Sequence, residues 1–153
     1  MILVDSNVFL IDLRYPRDLL FGVNRRFLER LALEDSGATT LFNLLELAGI
    51  LSFNLNRQQV LDLLCMFPEQ YRIAILPPLD LETNLPRLLL RTLVSRIAGR
   101  CAFGDALVME AIERYAPQGS LFVTWDAKHF AGRTTMQVAT PKQALKAWDA
   151  RRR

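Results

Sequence analysis

Four carboxylates in this chain stand where apolar segments change character. Asp5 ends "MILVD", Glu46 is the only charge in the thirteen residues "LFNLLELAGILSF", Asp105 opens "DALVMEAIERYA", and Asp126 ends "SLFVTWD". Each has a plainer explanation when taken alone. An acid at a helix start caps it or complements its dipole, and Asp in a turn is commonplace. Glu46 follows Asn43 by three residues, the spacing of a capping box with Asn43 as N-cap. Taken together, four acids on one rim would repel one another unless a cation were present. Hard carboxylate oxygens without nearby His or Cys select Mg²⁺ or Mn²⁺ over zinc.

Other chemistries lack their parts. His129 is the only histidine, so neither a His-based triad nor a two-His metal motif can be built, and in "WDAKHF" it reads as a surface or packing residue. No G-x-x-x-x-G-K-[ST] or G-x-G-x-x-G occurs. "DSNVF" has Asn7 where haloacid-dehalogenase chemistry wants a second Asp. Cys65 and Cys101 form no C-x-x-C pair and read as small core residues.

The elements that must position the acids follow from periodicity. "MILVD" is continuously apolar, the pattern of a short strand buried in a parallel sheet. Helical spacing runs from Asp18 to about Leu33, and "ATTLF" is a second strand. A helix through "LELAGILSF", another in "NRQQVLDLLCMF", and a strand "YRIAILPP" halted by prolines come next. A helix is expected from Leu85 to Ile97 with Pro86 in its first turn, then one in "CAFGDALVMEAIERYA" with Glu110, Glu113 and Arg114 as its polar stripe. "SLFVTWD" and "TTMQVA" are strands, and Thr140-Pro141 starts a last helix that runs out in Arg151, Arg152 and Arg153. Such alternation predicts an α/β fold: a three-layer α/β/α sandwich around a mainly parallel sheet of about five strands, with right-handed crossovers. Ligands bind beyond the carboxyl ends of such strands, which is where this reading puts all four acids.

With 153 residues, 51% hydrophobic and 23% charged, the chain is expected to form one domain over 1–150 with a basic tail at 151–153. No apolar run reaches the length of a membrane span and no signal-peptide pattern opens the chain, so a cytoplasmic protein is expected. The net charge is +3 and the basic residues are 16 Arg and 3 Lys, a bias suited to bidentate phosphate contacts.

The motifs resemble those of PIN-domain nucleases, and among them the VapC-like toxin ribonucleases. "ILVDSNVF", "NLLELAG", "FGDALVMEAI" and "FVTWDAKHF" match that family's four acidic motifs in order over nearly the whole chain. One departure is Asn43, where the family often has Ser or Thr. The resemblance implies an acidic site of Asp5, Glu46, Asp105 and Asp126, with Asn7 and Thr124 as orienting or water-holding residues. It also implies Mg²⁺- or Mn²⁺-assisted hydrolysis of RNA phosphodiesters, an antitoxin protein bound near the site, and a homodimer. RNA drawn to an acidic rim needs basic residues around it, for which Arg25, Arg26, Arg87, Arg91 and the terminal Arg run are candidates. Two competing readings are a PIN fold that only binds RNA or protein, and a metal-dependent DNA or flap nuclease. Intact acids weigh against the first and the lack of long clamping insertions against the second.

Overall fold

The run "ILV" forms a strand, β1 (Ile2–Val4), whose successive side chains go to opposite faces of the sheet, Leu3 into one core and Val4 into another. Both faces are therefore covered, which is why the run is apolar throughout. The computed structural model describes every residue except Leu79, Leu81, Thr83, Arg152 and Arg153. Around β1 it places β2 (Gly37–Thr40), β3 (Ile73–Leu76), β4 (Leu121–Val123) and β5 (Gln137–Ala139) in one sheet of order β3-β2-β1-β4-β5. Every pairing is parallel, with Ile2 opposite Gly37 on one side and Leu121 on the other.

The helices are α1 (Ser6–Arg14), α2 (Phe21–Glu34), α3 (Leu41–Leu51), α4 (Arg57–Tyr71), α5 (Leu90–Ala98), α6 (Phe103–Tyr115), α7 (Ala127–Phe130) and α8 (Pro141–Arg151). One face of the sheet packs Val4 and Val123 against Val8, Phe9, Phe27, Leu44, Phe67 and Ala144, from α1, α2, α3, α4 and α8. The other packs Leu3, Ala38 and Phe122 against Ala106, Met109, Ile112 and Phe130, from α6 and α7. This is the three-layer architecture expected from the alternation. Strand order runs from β1 through β2 to β3, then changes direction to β4 and β5, so the switch point lies between β1 and β4. Gly37 permits the close packing on one side of β1, since a Cβ there would lie 2.6 Å from Ile73 Cγ2 and 2.9 Å from Leu31.

Several local expectations change. The apolar pattern assigned no helix to Ser6–Arg14, yet α1 starts directly after β1. Its residues Val8, Phe9, Leu10 and Leu13 all meet the core, which erases the polar face that a 3.6 period needs. The N-cap of α3 is Thr40, whose hydroxyl accepts from Asn43 N–H at 3.1 Å, so Asn43 sits inside the first turn and forms no capping box with Glu46. Thr40 leaves β2 with the extended backbone that a cap requires, three residues earlier than expected. α5 begins at Leu90, leaving Pro86 ahead of the helix. The Arg87 carbonyl that a longer helix would use accepts the Tyr115 hydroxyl at 3.3 Å. Cys101 is buried but Cys65 is exposed, and Glu110 of the supposed polar stripe is only 6% exposed. α8 runs through Arg151, while Arg152 and Arg153 lie outside the described residues.

Candidate active site

At the switch point the chain leaves β1 through Asp5 and leaves β4 through Thr124. Asp5 is the N-cap of α1, with its Oδ1 accepting from Ser6 N–H at 2.9 Å, and its Oδ2 accepts from the Thr124 hydroxyl at 2.6 Å. That hydroxyl in turn accepts from Asn7 Nδ2 at 2.9 Å and from Asp126 N–H at 3.0 Å, so its single proton is directed at Asp5. The peptide before Asp5 is fixed from below: Thr39 Oγ1 donates to the Val4 carbonyl at 2.7 Å and Asn43 Nδ2 to the same oxygen at 3.2 Å. Thr39, Asn43 and Thr124 are each fully buried. A buried polar layer thus stands beneath the acid and sets its direction.

The other carboxylates gather around this centre by intermediaries. Ser6 Oγ donates to Glu46 Oε2 at 2.7 Å. Asn7 Nδ2 donates to Asp126 Oδ2 at 3.3 Å while Asn7 Oδ1 accepts from Trp125 N–H at 3.2 Å. Glu46 and Asp126 are exposed and Asp5 is buried, so the network runs from solvent to the sheet edge. Asp105, in the first turn of α6, stays outside this network and takes His129 Nε2 on its Oδ2 at 2.8 Å. The Asp5 carboxyl nevertheless feels Asp105. Burial raises its pKa from an ordinary 3.8 to about 7, the Thr124 and Ser6 hydrogen bonds oppose the rise, and the charges of Glu46 and Asp105 add to it.

No protein-family model matches the sequence, and no curated protein matches it. Solved structures do. A chain of VapBC-1 from nontypeable Haemophilus influenzae superposes with a TM-score of 0.62 at 12% identity, covering 93% of this chain and 99% of that one. FitAcB from Neisseria gonorrhoeae gives a TM-score of 0.57 at 19% identity, covering 92% and 98%. FitAB bound to an IR36 DNA fragment gives 0.55 at 19% identity, covering 92% and 95%. The chain has the PIN-like fold.

Within the PIN-like fold, the acid donor set is chemically suited to a hard divalent cation. Burial chiefly, with the charges of Glu46 and Asp105 adding, disfavours the ionised Asp5 carboxyl. Among the described residues, no three His, Cys, Asp or Glu side chains converge closely enough to hold an ion as they stand. The arrangement is an acidic rim with tethered carboxylates. Of the basic candidates, Arg25 is committed to Asp12 at 3.1 Å and Glu29 at 3.2 Å, whereas Arg26, Arg87 and Arg91 are exposed and make no ion pair among the described residues. Sequence reasoning missed Ser6, Thr39 and His129. Ser6 is signalled by its place beside Asp5, but nothing in the spacing signals that His129 meets an acid 24 residues away.

Proposed function

We propose that this chain is a metal-dependent endoribonuclease, the VapC-like toxin of a toxin–antitoxin pair, acting in the cytoplasm. The observation that carries the reading is the linkage of Asp5 to Glu46 through Ser6, and to Asp126 through Thr124 and Asn7, at the switch point of a parallel sheet. Asp5, Glu46, Asp105 and Asp126 would hold Mg²⁺ or Mn²⁺. When bound, such an ion neutralises charge on a phosphodiester and lowers the barrier to in-line attack by water. Asp5 supplies the inner carboxylate, oriented by Thr124 and by the Ser6 N–H. The outer acids bring charge from the solvent side, and Asn7 fixes Asp126 relative to Asp5. Arg26, Arg87 and Arg91, exposed and without an ion pair among the described residues, would meet RNA phosphates, while Arg25 is held by Asp12 and Glu29.

The fold shared with VapBC-1 and FitAB agrees with the family the sequence resembles, whose nucleases are held by an antitoxin. Leu89, the N-cap of α5, and Leu90 and Val94 on it are 57%, 73% and 55% exposed and support self-association as a homodimer. Among the described residues no helix is long and apolar enough to cross a membrane.

The test is incubation of the purified chain with labelled structured RNAs in Mg²⁺ or Mn²⁺, in chelator, and beside Asp5→Asn. Cutting that needs the metal and falls by about 100-fold or more in the variant is expected, since several kcal/mol of transition-state stabilisation rest on the cation. Cutting that persists in chelator, or a folded wild type that cuts none of the RNAs, would overturn the reading.

A further inference from the structure

The outer carboxylates share a pattern. Among the described residues, Glu46 has one oxygen tied to Ser6 Oγ, Asp126 has one tied to Asn7 Nδ2, and Asp105 has one tied to His129 Nε2. The second oxygen of each makes no hydrogen bond to the described residues. Ser6 and Asn7 belong to the helix that Asp5 caps. His129 comes from elsewhere, and its position is as firmly set.

α7 is a single turn whose His129 N–H donates to the Asp126 carbonyl at 2.8 Å. The next residue, Phe130, is 3% exposed and stands edge-on to Phe122 of β4, with ring centroids 5.1 Å apart. The His129 ring is edge-on to Phe130 at 5.5 Å. Packing therefore anchors the turn to the sheet, and the turn carries an imidazole across to α6. Because the partner is a carboxylate oxygen, Nε2 carries the proton in this contact. As a pair between half-exposed groups it contributes little to stability, so stability is a weak reason for its geometry.

We propose that His129 is a positioning residue: it holds Asp105 Oδ2 and so presents Oδ1 to the cation, joining the third acid to the fourth across two elements. This rests on the metal-binding reading above. A ligand held in place beforehand loses less freedom when the ion arrives, and donors to metal-binding carboxylates or imidazoles typically contribute about 10- to 100-fold in affinity.

The experiment is calorimetric titration of the metal-free chain with MnCl₂, for wild type, His129→Ala and His129→Gln, with thermal melts of each in chelator. Gln keeps an N–H donor of similar reach, whereas Ala removes it. Expected are Mn²⁺ binding about 10-fold or more weaker in His129→Ala, restoration of most of it in His129→Gln, and melting temperatures within about 2 °C of wild type, as a pair this exposed implies. Wild-type affinity in His129→Ala, or tighter binding because the imidazole competes with the ion, overturns the proposal while leaving the metal site intact. Weakening in both variants alike also overturns it, because a donor is then not what matters. A wild type that binds no Mn²⁺ overturns the metal reading and this proposal with it.

Discussion

Asp5 is a buried carboxyl whose surroundings disfavour its charge, and that makes it measurable without any substrate. Its pKa rises from 3.8 to about 7 because burial disfavours the charged form and Glu46 and Asp105 add repulsion. Folded protein therefore binds more protons than unfolded chain between those values. Stability must fall as pH rises through that window, with the loss complete above pH 7, by at most about 4 kcal/mol. Urea unfolding of metal-free protein is expected to show a lower midpoint at pH 8 than at pH 5, and Asp5→Asn should flatten that slope. An unchanged slope in the variant would assign the pH dependence to other groups. Added Mn²⁺ should release a proton at pH 6, seen as a buffer-dependent heat of binding.

At the scale of elements, α5 raises its own question, since none of its residues is buried. Leu93 packs against the α6-side cluster, and Arg96 ties the helix down. One guanidinium nitrogen meets Glu113, another donates to the Arg133 carbonyl at 2.9 Å, and Nε lies 3.8 Å from the buried Glu110. Glu113 also accepts from Thr134 Oγ1 and Thr135 N–H, tying the segment before β5 into the same cluster. Arg96→Met keeps the apolar stem but strands Glu110, so it should destabilise by about 3 kcal/mol, and hydrogen exchange should show residues 90–98 opening before the rest. Equal protection across α5 in the variant would refute the anchor. Elements were legible in the sequence where one face was wet, as in α2. They were obscured where packing on all sides removed the period, as in α1, or where a tertiary bond outbid helix continuation, as Tyr115 does at Arg87. The strand-end acids were legible from chemistry alone, because Asp5 and Asp126 break apolar runs. The contacts that link them depend on strand order, which spacing does not encode. Asn43 shows the limit, since its spacing to Glu46 mimics a cap while its side chain is spent on the Val4 carbonyl.

For the whole molecule, the sheet separates two apolar cores that share strands but few side chains. Leu44 is fully buried on the α1 side and Ile112 fully buried on the α6 side. Leu44→Ala should cost about 2–5 kcal/mol and Ile112→Val about 0.5–1.5 kcal/mol. Because the two side chains belong to separate clusters, the double variant should equal their sum within about 0.5 kcal/mol by denaturant unfolding. A larger discrepancy would mean that repacking passes from one cluster to the other, through the sheet or through the contact of α3 with α6.

The bond between Thr124 and Asp5 spans 119 residues, and β1 has no β4 beside it until residue 123 exists. During synthesis, β1, β2 and β3 can emerge and pair in sequence, yet the rim stays half-made: Asp5 is without its threonine, and Asp126 is still inside the ribosome. The rim is therefore assembled late, only after residue 126 has joined residues 5 and 7.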